Sequence, residues 1–185
     1  AVGCTLDPGG LTGDVEFVDA WARVGSTTEN SAYILHDIKK STLILGCMNI
    51  TNDIQKSSNI LALQIEAVVA QSGKVYKSTG DVKLIKAKYP NLKYLNLTSN
   101  EDLVGTVSEV FDELIHLETT SVANCPQITG SLEELATSQI AKGRTSGTLT
   151  ISCNGSITYN GSIVGDAVKK VITFSGSSYT ITDPA

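Results

Sequence analysis

The feature that most constrains this chain is that it repeats itself at a fixed interval. Thr12-Gly13-Asp14-Val15-Glu16-Phe17-Val18-Asp19-Ala20 matches Thr79-Gly80-Asp81-Val82-Lys83-Leu84-Ile85-Lys86-Ala87, with identical or like residues everywhere but the charged positions. From Gly80 the pattern recurs at Gly105 and Gly130, a period of 25 residues each time. Apolar positions keep the same step: Val82, Val107 and Leu132 correspond, as do Ile85, Val110 and Leu135, and then Leu92 and Leu117. A period of this size means that each unit cannot close a core alone and buries its apolar face against its neighbours.

Within one period the order of residues is specific. Leu92-x-x-Leu95-x-Leu97-x-x-Asn100-x-x-Leu103-x-Gly105-x-Val107 is followed by Leu117-x-x-Thr120-x-Val122-x-x-Cys125-x-x-Ile128-x-Gly130-x-Leu132. Alternating apolar residues such as Leu95 and Leu97 point inward from a short strand, and the residues between them face out. The turn that follows carries backbone donors and acceptors that need partners inside the stack. Asn100 supplies both kinds of hydrogen bond, and Cys125 fits the same slot as a small residue with a weak donor. Gly105 and Gly130 allow close backbone approach. This pattern resembles the leucine-rich repeat, whose variable position is Asn or Cys. The Leu103-x-Gly105-x-Val107 segment is similar to that of plant-type repeats, although the Pro expected after it is missing.

The resemblance implies an α/β fold: a short leucine-rich-repeat-like solenoid with a parallel sheet, an irregular α/β N-terminal part and a β-rich C-terminal cap. All of it forms one domain over 1–185, divided into an N-terminal part (1–56), the repeat core (57–145) and the cap (146–185). Leu149-x-Ile151-x-x-Asn154-x-x-Ile157 fits a further strand in register with Leu95, and Ile172-x-Phe174-x-x-Ser177 closes the stack. Asn160-Gly161 signals a tight turn in the Thr/Ser/Gly-rich ending. Glu109 to Leu117 and Glu133 to Ala141 read as short helices, as does Glu29 to Lys40; Leu43 to Leu45 reads as a strand. Ser57 to Gln71 reads equally as a capped helix or, from Leu61, Leu63 and Ile65, as a strand.

Composition narrows the function. The 185 residues suit a single domain, and a mean hydropathy of +0.06 is that of a globular chain. A net charge of −5 without runs of like charge argues against nucleic-acid partners. Thr42 to Cys47 and Ile60 to Ala70 are short or broken by Gln64 and Glu66, so no membrane span is expected. Ala1-Val2-Gly3-Cys4 resembles the end of a lipoprotein cleavage box, but trimming of an initiator Met accounts for it more simply. Cys4, Cys47, Cys125 and Cys153 form no C-x-x-C, and buried free thiols are expected.

Sites of chemistry are sparse. G-x-S-x-G, H-E-x-x-H, P-loop and G-x-G-x-x-G motifs do not occur, so no catalytic, cofactor-binding or metal site is assigned. His36 and His116 sit among apolar residues on expected helices, with Asp112 and Glu118 near enough in sequence to orient His116. Asp14, Glu16 and Asp81 lack the ligand spacing of a calcium loop and read as turn or helix-start carboxylates. Asn-x-Ser/Thr occurs at Asn49, Asn96, Asn154 and Asn160, as expected by chance in such a composition.

The surfaces remain. Outward strand positions are Tyr94, Asn96 and Thr98, then Thr119, Ser121 and Ala123, then Thr150, Ser152, Thr173 and Ser175, a small and neutral column. Of these only Tyr94 is an anchor of the usual kind, and Trp21 with Phe17 is a second candidate upstream. Gly13, Gly80, Gly105, Gly130, Asn100, Cys125 and Asn154 are assigned to the repeat itself. The expectation is a non-enzymatic structural or protein-interaction subunit of a larger assembly, pairing with itself or with a capsid or tail subunit. The Thr/Ser/Gly-rich ending is similar to that of virion proteins of tailed bacteriophages, which implies capsid decoration, fibre or attachment and assembly from the host cytoplasm into the virion. The alternative is a bacterial surface or secreted repeat module, extracellular, that binds a host protein or a glycan.

Overall fold

The computed structural model describes residues 78–185 throughout and 61–65 with their side chains; at 17–21, 41–46, 49–50, 60, 66, 68–69 and 75–76 it describes the strand backbone. In chain order the upstream strands are β1 (Phe17–Trp21), β2 (Ser41–Gly46), β3 (Asn49–Ile50), β4 (Ile60–Glu66), β5 (Val68–Val69), β6 (Val75–Tyr76) and β7 (Thr79–Asp81). Helix α1 (Leu84–Lys88), β8 (Tyr94–Asn96), β9 (Asp102–Thr106), α2 (Val107–Phe111), β10 (Thr119–Ser121), β11 (Ile128–Ser131) and α3 (Leu132–Ala141) follow. The last strands are β12 (Thr148–Ser152), β13 (Ile157–Tyr159), β14 (Ser162–Ile163), β15 (Lys169–Ser175) and β16 (Ser178–Thr182).

The architecture is mixed α/β with two mostly parallel sheets. The larger runs β1-β2-β4-β8-β10-β12-β15-β16, parallel as far as β12 and antiparallel at its last two strands. The smaller runs β14-β13-β11-β9-β7-β3, antiparallel only at β14. From β7 to β13 each period gives one strand to each sheet, and α1, α2 and α3 lead from the smaller sheet back to the larger. Between them lies one core. Leu63, Leu95 and Ile151 fill it from the larger sheet, Val122 from just beyond β10, Leu103, Ile128 and Ile157 from the smaller, and Val110, Phe111 and Leu135 from the helices, all fully buried.

The helix starts have a local cause. Thr106 and Ser131 are extended, and their hydroxyls accept from the N–H of Glu109 and Glu134 three residues on. Thr106 Oγ1 also donates to Glu109 Oε2 (3.1 Å), so the capping hydroxyl and the Glu side chain hold each other at the start of α2. α3 fits the expected span, whereas α2 stops at Phe111 and not at Leu117. After Phe111 the chain descends through two turns, Leu114 N–H to Phe111 O and Leu117 N–H to Leu114 O, which carry Leu114 and Leu117 into the core. His116 therefore lies on an exposed turn and not on a helix. Asp112 is engaged elsewhere, by Lys86 at 2.5 Å.

The two readings of 57–71 resolve to strand β4, with Leu63 and Ile65 inward and Ala62 and Gln64 half-exposed. The strand expected at Leu43 to Leu45 is part of β2. The helix expected at Glu29 to Lys40 and the position Gly13 lie outside the described residues. Asn160 and Gly161 form the turn between β13 and β14, both at positive φ (49° and 70°). β15 and β16 close the larger sheet as an antiparallel hairpin.

One register differs from expectation. Thr120 pairs with Ile151, not with Leu149, a slip of two residues. A slip of two leaves every side chain on its own face, so the alternation in sequence does not distinguish the registers. The longer step follows from α3, which has ten residues where α2 has five.

The smaller sheet is offset in the same manner. Tyr94 pairs with its repeat equivalent Thr119 in the larger sheet, but Gly105 pairs with Ile128, two residues short of its equivalent Gly130. Gly80 likewise pairs with Leu103 and not with Gly105. Gly80, Gly105 and Gly130 all have positive φ (110°, 153° and 114°). A Cβ on Gly130 would lie 3.2 Å from Val107 Cγ2 of the preceding period, and one on Gly105 only 2.9 Å from Val110 Cγ2. Both conformation and space therefore demand glycine. Gly130→Ala is expected to lower the unfolding free energy by ~1–3 kcal/mol in urea titration, whereas Gly155→Ala, with nothing within 4 Å of the new methyl, stays close to the parent.

Candidate functional site

Where the chain leaves the larger sheet it must bury a turn, and three residues satisfy it. Asn100, Cys125 and Asn154 are each 1% exposed or less. Ser99 and Asn124, the residues before the first two, share a left-handed conformation (φ 64° and 55°), so the two turns are built alike. Asn100 Nδ2 donates to Leu97 O (2.9 Å) in its own turn and to Ile65 O (2.8 Å) of the strand before, while Oδ1 accepts from Ser78 N–H (3.1 Å). Cys125 Sγ donates to Leu97 O at 2.9 Å. Asn154 Nδ2 donates to Cys125 O (2.5 Å) and Ile128 O (2.9 Å). Each slot residue thus hydrogen-bonds backward, Asn100 to the strand before it and Cys125 and Asn154 to the preceding turn.

The cysteines in this region are free and buried, Cys125 in the ladder and Cys153 beside Asn154. Burial pushes the Cys125 thiol up to about 11 and the Cys153 thiol up to about 12. Cys4 and Cys47 lie outside the described residues.

The outward face of the larger sheet is the principal surface. Successive pairings place Phe17, Thr42, Ala62, Tyr94, Thr119, Thr150, Val171 and Thr182 in one cross-strand row. Gln64, Asn96, Ser121, Ser152 and Lys169 form the next. Phe17, Tyr94, Thr119 and Thr150 therefore share a row, with Asn96 and Ser121 beside them. Trp21 ends β1, paired with Gly46; its side chain is outside the description.

This face is locked by its own hydrogen bonds. Asn96 Oδ1 accepts from Thr98 N–H (3.0 Å) and Thr98 Oγ1 (2.7 Å), and the Thr98 hydroxyl lies 2.7 Å from Ser121 Oγ. Tyr94 is 37% exposed. Ala123 does not extend the column: it is 5% exposed, because the chain is already turning inward toward Cys125.

Three features escaped the sequence reading. Arg144, 5% exposed, donates to Leu117 O (2.8 Å), Gln139 Oε1 (3.0 Å) and Thr148 O (2.7 Å), and lies 4.4 Å from the Phe174 ring centroid. Burial pulls its guanidinium down to about 10, so it stays protonated at neutral pH. Gln139 continues the relay, donating to Phe111 O at 2.8 Å. On the helix side, Lys86 meets Asp112 and Lys142 meets Glu113 (3.1 Å), ion pairs that join successive periods. Only the ion pairs had a sequence signal, a recurrence near the repeat interval.

Asp81 serves its own turn, accepting from Lys83 N–H (3.0 Å). Among the described residues no group of three or more His, Cys, Asp or Glu could hold a metal, and no helix is long and apolar enough to cross a membrane. No family model, curated protein or solved structure matches the chain.

Two predictions follow from the ladder. Asn100→Ala breaks the buried hydrogen bonds to Ser78 N–H and Ile65 O and leaves Leu97 O with the weak Cys125 donor, and is expected to cost more than ~2 kcal/mol, whereas Cys125→Ala removes one weak donor and costs ~1 kcal/mol, both read by urea unfolding. The thiol protons are held more tightly in the fold than in the unfolded chain, where thiols titrate near 9.0. Their contribution is therefore complete below pH 9 and is lost as pH rises through the folded values. Between pH 8.5 and 10.5, parent stability should fall more steeply than that of the Cys125→Ala/Cys153→Ala double variant; parallel slopes would contradict this.

Proposed function

We propose that this chain is a short leucine-rich-repeat-like solenoid that serves as a non-enzymatic structural or protein-interaction subunit of a larger assembly. The virion role is the specific form of that reading, as capsid decoration, fibre or attachment protein. The observation that supports it is the row carrying Tyr94, Thr119 and Thr150, in which a partly exposed aromatic ring stands beside short uncharged side chains. A partner that docks there displaces water from small hydroxyl residues whose order is already set by Asn96, Thr98 and Ser121. Little side-chain entropy is then lost on docking, and Tyr94 supplies the buried aromatic contact.

A second reading, a bacterial surface or secreted module for a host protein or glycan, draws on the same face. Its hydroxyls and the Gln64 and Asn96 amides both donate and accept, as recognition of a neutral glycan requires.

Light scattering behind size exclusion across a concentration series separates the two. A discrete oligomer that Tyr94→Arg dissociates, with at least ~10-fold weaker association, supports the assembly subunit. A monomer at every concentration, unaltered by Tyr94→Arg, removes self-assembly through this face and leaves the ligand-binding module.

A further inference from the structure

The chain contains two copies of one short sequence, Asn154-Gly155-Ser156 and Asn160-Gly161-Ser162, and the fold treats them in opposite ways. Asn154 is 1% exposed, and its amide is bound at both ends: Nδ2 by Cys125 O and Ile128 O, Oδ1 by Ser156 N–H at 2.7 Å. Asn160 is exposed at the tip of the β13–β14 hairpin. Gly161 beside it has open space, with nothing within 4 Å of where a Cβ would sit. The tip is tethered through the Asn160 N–H, which donates to Glu133 Oε1 of α3 at 2.6 Å.

We propose that Asn160 is a self-modifying site, at which the amide converts to aspartate and isoaspartate while Asn154 is protected. Its reaction needs only water and base. The Gly161 backbone nitrogen gives its proton to base and attacks Asn160 Cγ; the new C–N bond closes a five-membered imide and ammonia leaves. Water then opens the imide at one of its two carbonyls, leaving aspartate or, with the main chain routed through the former side chain, isoaspartate. One water is consumed, one ammonia is released and one negative charge appears.

Glycine is the residue that least obstructs this attack, because no side chain stands between its nitrogen and the amide. At Asn154 the same attack would first have to break buried hydrogen bonds to two carbonyls of the preceding turn.

The product has a structural consequence. The new carboxylate forms on the residue whose N–H is held by the Glu133 carboxylate, so repulsion between the two charges weakens the tether. Isoaspartate also adds a main-chain carbon to a two-residue turn, which no longer fits the strand pair it joins. β14 has only two residues, and Ile163 within it is already 68% exposed. Modification therefore frees the end strand of the smaller sheet and leaves the larger sheet as it is. This inference does not depend on the docking role proposed for the larger sheet.

The test is incubation of the full chain at pH 8 and 37 °C, with peptide mass spectrometry and isoaspartate quantification at both sites. In the folded protein Asn160 is expected to convert at least about tenfold faster than Asn154. In denaturant the two rates should converge, because the local sequences are the same. Gly161→Ala should suppress conversion at Asn160 in both conditions. Protease cleavage between Asn160 and Gly165 should rise in step with conversion. Equal rates in the folded protein, or an Asn160 that stays intact while both sites convert in denaturant, would overturn the proposal.

Discussion

The structure depends on how the buried turns beyond the larger sheet are satisfied. A parallel pair of strands needs a crossover, and here the crossover passes through a second sheet, so the turn between sheets is enclosed by neighbouring periods. Its inward-facing carbonyls, such as Leu97 O, need partners inside the stack. Asn100 meets this by holding its own turn and the strand before it at once, and Asn154 binds two carbonyls of the turn built around Cys125. Hydrogen bonding at this position is thus intermodular: removing one slot residue orphans groups in the neighbouring period. The thiol of Cys125 reaches Leu97 O with one weak donor, so the middle of the ladder is its least polar rung.

At the C-terminal end the requirement changes, and so does the chemistry. There is no further parallel strand to stack on β12, and β15 and β16 turn back against it as a hairpin. Arg144 spans the junction, binding carbonyls before β10 and within β12 while its guanidinium covers Phe174. Tyr159 donates its hydroxyl to Ile181 O (3.2 Å), fixing β16 to the smaller sheet. A cation without a carboxylate contact is costly to bury, but several carbonyl oxygens and a ring face offset that cost.

The repeat was legible because its causes are local. Inward Leu95 and Leu97, the slot at Asn100 and Cys125, and the glycines each impose one requirement at one position, and the structure meets each of them. Register was not legible beyond its parity. The pairing of Thr120 with Ile151 follows from the length of α3, a quantity that the apolar pattern after Leu132 does not fix. The capping residues Thr106 and Ser131, each three residues before a Glu, were a readable signal for the helix starts. Arg144 was not readable in the same sense. Its role depends on carbonyls at Leu117 and Thr148 that only the fold brings together.

For the candidate surface the balance is reversed. Alternation in sequence identified Tyr94, Asn96, Thr119, Ser121 and Thr150 as outward residues, and the pairing aligned Tyr94, Thr119 and Thr150 into one cross-strand row, in register with Phe17 of β1. What alternation could not supply was order within the face. Thr98 was an outward residue like any other, yet its hydroxyl joins Asn96 to Ser121 and fixes the rotamers of both. Exposed serines and threonines ordinarily lose rotamer freedom when a partner docks. Here that loss is largely incurred on folding, so the hydroxyl and amide groups beside Tyr94, itself 37% exposed, are already ordered before anything meets this face.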